Sequence, residues 1–208
     1  MAETTVKVVV RCRPLLPHET DKDVKNVSTI DEDGGRITIS GRTHDYGNES
    51  VVGGGDRHAT MYERTAKPLI AQLFDGYNAT VLAYGQTGSG KTHTMGTAFD
   101  ESGVDGVVPR ALRRLFAARP GEVVMSFLEI YDDRVRDLLA PPRDAAEAER
   151  RRHDEAFSAK APRPADVVEG LPLRENARGG FEVEGLQAYA ARDLADALDL
   201  VAYGLRRR

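Results

Sequence analysis

The order of apolar and polar positions along this chain predicts alternating strands and helices. Residues 6–10 form an almost continuous β-branched run, which is typical of a strand covered on both faces. Two short apolar runs, 27–30 and 36–39, flank Asp33-Gly34-Gly35 and predict a small hairpin. Residues 59–74 carry apolar side chains at helical spacing and predict one helix that packs on a sheet: Met61, Ala66, Leu69, Ile70 and Leu73.

The same alternation continues after residue 78. Residues 79–84 are a short, mostly apolar run of strand length, and a helix is predicted from Lys91, interrupted over 96–106 and resumed after Pro109. Residues 123–131 predict another strand, and residues 134–139 a short turn or helix. A last helix is marked by four apolar positions, Leu194, Leu198, Val201 and Leu205. The fold class expected from this order is α/β.

A glycine-rich octapeptide follows the predicted strand at 79–84. It fits the pattern G-x-x-x-x-G-K-[ST] of a phosphate-binding loop: Gly85, Gln86, Thr87, Gly88, Ser89, Gly90, Lys91 and Thr92. Glycines allow successive main-chain N–H groups to face one concavity, and the following helix adds the positive end of its dipole. We expect Lys91 to reach the β- and γ-phosphates and the Thr92 hydroxyl to ligate Mg²⁺. A chance match in a glycine-rich loop is the alternative, and the strand expected before the loop argues against it.

Two arginines lie at the end of the first predicted strand. Arg11 and Arg13 are two positions apart, so an extended chain points both to the same side, and Pro14 ends the strand because it lacks an N–H. A strand end with solvated arginines is the ordinary interpretation. Their pairing with a downstream phosphate-binding loop favours a corner that binds the base of a nucleotide.

Four blocks of the sequence resemble kinesin motor domains, in the expected order. Residues 6–14 are similar to the first strand with its R-x-R-P ending, and residues 77–96 resemble the whole P-loop block. Residues 106–111 match G-[IV]-[IV]-P-R-A, and residues 126–139 resemble S-x-x-E-I-Y followed by V-x-D-L-L. Within this family, residues 96–100 favour the chromokinesin-like class.

The resemblance implies a P-loop NTPase-type three-layer sandwich, with a central, mainly β sheet flanked by helices. It implies an ATP-dependent microtubule motor with ATP and Mg²⁺ as cofactors, located in the cytoplasm on the microtubule cytoskeleton. Arg11 belongs to the expected nucleotide site, while Arg13 and Pro14 would lie against the adenine and His93 would face it from the other side. Residues 171–176 and 181–186 resemble the family's hairpin that approaches tubulin, in which Arg174 and Arg178 are the candidate contacts.

Kinesins hydrolyse ATP with two further motifs, N-x-x-S-S-R-S-H and D-x-x-G-x-E, and the 208 residues contain neither. Residues 31–34 and 100–103 satisfy a bare D-x-x-G, but in predicted turns. We therefore expect residues 1–208 to be the N-terminal portion of a motor domain, without its C-terminal part. The resemblance implies an ATPase, but we expect this chain alone not to hydrolyse ATP and its contact with microtubules to be weak or incomplete.

Two segments depart from the family pattern. The strand expected between residues 42 and 60 is degenerate or missing, because the apolar alternation is unconvincing there. Residues 141–168 are rich in Ala, Arg, Glu and Pro, and we expect a disordered insertion in a surface loop. Within it, Arg150-Arg151-Arg152 could touch an acidic partner, although such charge runs are usually only solvated.

The amino-acid composition narrows the classes of protein to which this sequence can belong. With 29 basic and 33 acidic residues the net charge is −4, which argues against a general nucleic-acid binder. One cysteine, Cys12, excludes a disulfide framework and fits a reducing compartment. The sequence shows no long apolar run or signal pattern, so we expect a soluble, intracellular protein without a membrane partner.

Two alternatives to a motor stay open. One is a kinesin relic that binds nucleotide without hydrolysing it and acts as an interaction module. The other is an unrelated P-loop GTPase or kinase. The lack of an N-K-x-D guanine-reading motif argues against this alternative.

Overall fold

A computed structural model describes residues 6–16, 19–20, 27–55, 57–96, 105–118, 121–140, 168–177 and 179–208. The chain divides into two compact units, Met1–Ala118 and Arg119–Arg208. In the described ranges the strands form five separate sheets of two or three strands each.

The described part of the first unit holds five strands. Strand β1 (Val10–Arg11) pairs in parallel with β5 (Val51–Val52), and the predicted hairpin forms from β2 (Ser28–Asp31) and β3 (Arg36–Ile39). An antiparallel third strand, β4 (Arg42–Asp45), extends the hairpin. The segment between residues 42 and 60, where a family strand was expected to be degenerate or missing, thus holds β4 and the two-residue β5, whose Val51 and Val52 are fully buried.

Among the residues that the structure describes, the first unit also holds four helices: α1 (His58–Arg64), α2 (Ala66–Phe74), α3 (Lys91–Met95) and α4 (Val107–Ala117). The prediction of one helix over residues 59–74 was wrong, because the helix breaks at Thr65. Pro68 explains the break: it has no N–H for the carbonyl of Arg64, and its ring would collide with that carbonyl in a continuous helix.

The core of this unit lies between helices α1, α2 and α4 and strand β5. Its buried members are Val52, Met61, Tyr62, Ala66, Ile70 and Val107. Met95 packs against this cluster from the end of α3, so the helix that follows the glycine-rich loop is anchored on the core.

The predicted strand at residues 79–84 is not formed. Leu82 is 85% exposed and Tyr84 is 96% exposed, and in the described ranges no strand pairs with this segment. The prediction failed because an apolar run becomes a strand only when neighbouring strands satisfy its main chain and cover its side chains. For the same reason β1 is shorter than residues 6–10, and Val6 and Val8 are exposed.

In its described residues the second unit contains seven strands and one helix. The strands are β6 (Val123–Met125), β7 (Leu128–Tyr131), β8 (Arg134–Asp137), β9 (Val168–Glu169), β10 (Leu173–Glu175), β11 (Phe181–Val183) and β12 (Tyr189–Ala191). Strands β7, β8 and β9 form one antiparallel sheet, β10 pairs with β11, and β12 pairs with β6. The predicted last helix is α5 (Leu194–Arg206).

The turn or helix predicted at residues 134–139 was wrong, since residues 134–137 form β8. Asp132 and Asp133 both have positive φ, 49° and 56°, and Tyr131 pairs with Arg134 across them. Two central residues of this kind match the right-handed twist of a two-residue hairpin, so the chain turns back as a strand. Buried Asp137 then accepts hydrogen bonds from the N–H groups of Leu139 and Gln187, both at 2.8 Å.

Except for Val168 in β9, the expected insertion at residues 141–168 lies outside the described residues, as does Arg178. Of the helices in the described ranges, none has the length and apolar character needed to cross a bilayer.

Candidate nucleotide-binding site

The glycine-rich loop owes its shape to three glycines. Gly85, Gly88 and Gly90 have φ of 154°, 81° and 94°, a region that favours glycine. At Gly85 an added Cβ would also lie 2.6 Å from the Ser89 hydroxyl oxygen. Helix α3 begins directly after Gly90, and no described side chain caps that end. Its first main-chain N–H groups therefore face the loop.

Lys91 closes the loop from inside. Its Nζ donates to the main-chain oxygens of Gly85 at 2.6 Å and Gln86 at 2.8 Å. These two bonds hold the ammonium group in the concavity where the motif requires a cation for phosphate. Thr92 is the next residue of the same helix and is exposed. Its hydroxyl therefore belongs to the residue directly after the lysine. Oxygen ligands of this kind suit Mg²⁺, and the role of Thr92 as a metal ligand stays a prediction.

Arg13 reaches the same loop from the first strand. Its Nε donates to the main-chain oxygen of Gly88 at 3.0 Å, and its two terminal nitrogens bind the Glu19 carboxylate at 2.5 and 2.6 Å. The Glu19 side chain also accepts from the N–H of Leu16 at 2.9 Å, which fixes its orientation. The hydrogen bond with Glu19 raises the pKa of Arg13 above its ordinary value. Arg13 is thus a fixed cation at the tip of the loop.

Pro14 lies next to Arg13 and against the chain after β5. A Cβ added at Gly54 would sit 3.4 Å from the Cα of Pro14, so this approach leaves little room for a larger residue. Between the two arginines, partial burial raises the pKa of the Cys12 thiol. The contacts of Pro14 and His93 with a base stay predictions.

Arg11 contacts the helix after the loop. Its Nη1 donates to the Thr94 hydroxyl at 2.7 Å and lies 3.4 Å from His93 Nδ1, while Nη2 donates to the Gly55 carbonyl at 3.4 Å. The Thr94 hydroxyl in turn donates to the Gly90 carbonyl at 2.8 Å. The structure therefore brings both predicted arginines to the loop and its helix, on the same side of the extended chain as expected.

Three contributors were missed by the sequence analysis: Glu19, His58 and Thr94. His58 is 1% exposed, and its Nε2 lies 2.8 Å from the main-chain oxygen of His93. Its ring centroid is 4.4 Å from that of His93. No local pattern signals this contact, because it joins residues that are 35 positions apart.

Comparison with known proteins agrees with this geometry. A family model described as the kinesin motor domain matches residues 11–208. The chain belongs to the kinesin motor-domain family. The resemblance seen in the sequence is confirmed. Membership of this family implies a P-loop NTPase fold.

Individual relatives cover most of this kinesin chain. It is 32% identical over 229 residues to the kinesin-like protein klp-12 of Caenorhabditis elegans, which covers 100% of the chain and 13% of the relative. It is 37% identical over 211 residues to the kinesin-like protein KIF7 of Mus musculus, at 97% and 14% coverage. The chromosome-associated kinesin KIF4 of Xenopus laevis is 33% identical over 207 residues, at 95% and 15% coverage. The chain thus spans a small part of each of these kinesins.

Proposed function

We propose that this chain is the nucleotide-binding part of a kinesin-type, ATP-dependent microtubule motor. The observation that carries the proposal is the position of Lys91, whose ammonium group lies inside a loop shaped by positive-φ glycines. Arg13 supports it, because a second fixed cation touches the same loop at Gly88. Two cations and the start of a helix at one loop favour a polyphosphate.

The individual roles follow from these positions. Lys91 would exchange its bonds to loop carbonyls for phosphate oxygens, and the main-chain N–H groups of residues 86–92 would take the remaining oxygens. Thr92 would hold Mg²⁺, which supplies neutralisation of the phosphate charge when bound. Arg13, Pro14 and His93 would border the base, with Arg11 fixing the helix behind them.

We further propose that the complete motor has the three-layer architecture, with a central sheet into which residues 79–84 insert as a strand. Their exposed apolar side chains support this, because Leu82 and Tyr84 would be covered by such a sheet. In this proposal residues 1–208 are one portion of a motor domain, and residues 141–168 are an insertion in a surface loop. The full protein would act on microtubules in the cytoplasm.

Binding and hydrolysis are separate parts of the proposal. The two γ-phosphate-sensing motifs of kinesins do not occur in these 208 residues, so we propose that the groups described here account for binding. The second candidate is a nucleotide-binding relic without turnover. ATPase activity of the full protein, stimulated by microtubules, distinguishes the two, because a motor requires it and a relic does not show it.

Titration with MgATP tests the nucleotide site. Lys91→Ala should weaken binding at least about tenfold, the scale of a lost hydrogen bond to a charged group. Lys67→Ala is the matched control, because Lys67 of helix α2 is exposed and pairs with Glu63 of helix α1. Equal affinity of the wild type and Lys91→Ala would contradict the proposal, and preference for GTP over ATP would favour an unrelated NTPase.

Co-sedimentation with microtubules tests the partner. Arg174, in the hairpin of β10 and β11, pairs with Glu184, so part of its charge is already balanced. Arg174→Glu should reduce binding to an acidic surface if this hairpin makes contact. Arg36→Glu is the control, because Arg36 also lies in a hairpin and pairs with Asp31. Equal loss in both variants would show a general charge effect rather than a docking site.

A further inference from the structure

His58 is a buried, polar side chain directly behind the candidate base-binding residue. It is 1% exposed, and it is the first residue of α1. The main-chain oxygen of His93 can only accept, so His58 Nε2 must carry the proton of this 2.8 Å hydrogen bond. His58 is therefore the donor that holds the main chain of His93.

The same side chain also supports the ring of His93. The two ring centroids are 4.4 Å apart, with planes inclined at 53°. His93 itself is exposed. One side chain thus holds both the main chain and the ring of His93, which leaves its imidazole few orientations.

Arg11 restricts His93 from a second direction. The guanidinium group has donors only, so at 3.4 Å from Arg11 Nη1 the Nδ1 atom of His93 is the acceptor. A neutral imidazole that accepts at Nδ1 carries its proton at Nε2. Arg11 is itself fixed by the Thr94 hydroxyl at 2.7 Å.

The end of α3 gives this support a rigid base. The oxygen of His93 also accepts from the N–H of Gly96 at 3.1 Å, where the helix ends with a φ of 73°. Met95 on this short helix packs on the core. His93 therefore lies on a helix whose end is held by hydrogen bonds and by the packing of Met95.

We propose that His58 is a positioning residue for the nucleotide base, which it serves by holding the His93 ring as a preoriented stacking platform. The inference rests on the proposed function, since it assumes that a nucleotide occupies the loop. Stacking of a base on an aromatic ring contributes to affinity, and a ring already fixed in place loses less conformational freedom on binding. Loss of this support should therefore weaken the binding of the base and leave the binding of the phosphates unchanged.

The test compares two ligands in the 208-residue chain at about pH 8, where imidazoles are ordinarily neutral. The ligands are MgATP and magnesium tripolyphosphate, which lacks the base. His58→Ala should weaken MgATP binding by about three- to tenfold, the range expected for one hydrogen bond and a ring contact, and leave tripolyphosphate binding unchanged. His58→Gln keeps a donor without the ring and should recover part of the loss.

A double-mutant cycle separates positioning from a general effect on folding. His93→Ala should reproduce the selective loss of MgATP affinity, and adding His58→Ala to it should cause little further loss, because the platform is already gone. If His58→Ala does not fold, His58→Gln and the cycle built on it give the same comparison.

Three results would overturn the inference. The first is that His58→Ala weakens the binding of both ligands equally. The second is that the losses of MgATP affinity add in the double mutant. The third is that the wild type binds both ligands with equal affinity. The third result would leave the phosphate site intact. A wild-type chain that binds neither ligand would overturn the proposed function and the inference together.

Discussion

The Nε–H of Arg13 donates to the main-chain oxygen of Gly88 at 3.0 Å and so joins the first strand to the tip of the phosphate-binding loop. The same guanidinium group holds the Glu19 carboxylate with both terminal nitrogens. A carboxylate therefore stands next to the loop that we propose for a polyanion, and it balances much of the charge of Arg13.

Glu19→Gln should strengthen phosphate binding. The change removes one negative charge near the loop and keeps the shape of the side chain, so affinities for MgATP and tripolyphosphate should both rise about two- to fivefold at low salt. Titrations at low and high ionic strength check this, since screening should diminish the gain. A fall in affinity would show that Glu19 acts mainly by orienting Arg13.

Gly96→Ala should destabilise the end of α3. Gly96 has a φ of 73°, and an added Cβ would lie 2.3 Å from the nitrogen of Gly106. Gly76 is the matched control, with a φ of 90° and nothing within 4 Å of the added Cβ. Urea unfolding should give a loss of about 1–2 kcal/mol for Gly76→Ala from backbone strain. Gly96→Ala should lose more, and equal losses would contradict the contact with Gly106.

Asp196 should make the stability of α5 sensitive to acid. Its hydrogen bond with the Arg192 side chain lowers the pKa of Asp196 in the folded state. A depressed carboxyl pKa stabilises the fold above the unfolded value, near 4, and this contribution is lost as the pH falls through the folded value.

Unfolding by urea between about pH 5 and 2.5 checks the prediction for Asp196. The wild type should lose stability faster than Asp196→Asn in this window. Asp199→Asn is the control, because it removes the same charge from the same helix and keeps the Arg192 pair. Identical pH dependence of the wild type and Asp196→Asn would contradict the assignment.

The exposed apolar segment at residues 77–84 should bind an apolar dye. Tyr77, Leu82 and Tyr84 are 67%, 85% and 96% exposed. Leu82→Asp should lower dye fluorescence and change the free energy of unfolding by no more than about 0.5 kcal/mol, as for other surface positions. Leu173→Asp, at a 60% exposed position in the other unit, is the control. A loss above about 2 kcal/mol would mean that Leu82 is buried in solution.

Local patterns predicted the parts of this fold that depend on neighbours in sequence. The start of α3 follows from the loop motif, and the first hairpin follows from its turn residues. Strand β8 was missed because Asp132 and Asp133 are not the usual Asn-Gly signal for a turn with two positive φ angles. The apolar positions after it then resembled a short helix.

The remaining differences come from contacts distant in sequence. A strand at residues 79–84 depends on partners that no feature of the run itself specifies. His58 reaches His93 across 35 positions, and Arg13 reaches Gly88 across 75. The motif names the residues that we expect in the site, but not the side chains, such as His58, that contact them.

The hydroxyl of Thr94 links the first strand to the phosphate-binding loop by two hydrogen bonds. A hydroxyl has a single hydrogen, and here it is given to the Gly90 carbonyl, so the oxygen can only receive the hydrogen bond from Arg11. The chain from Arg11 through Thr94 to Gly90 therefore runs in one direction and cannot reverse. Valine, with almost the same shape, would remove both of these hydrogen bonds at once, while the Gly90 carbonyl would still accept from the main-chain N–H of residue 94, at 2.8 Å in this structure.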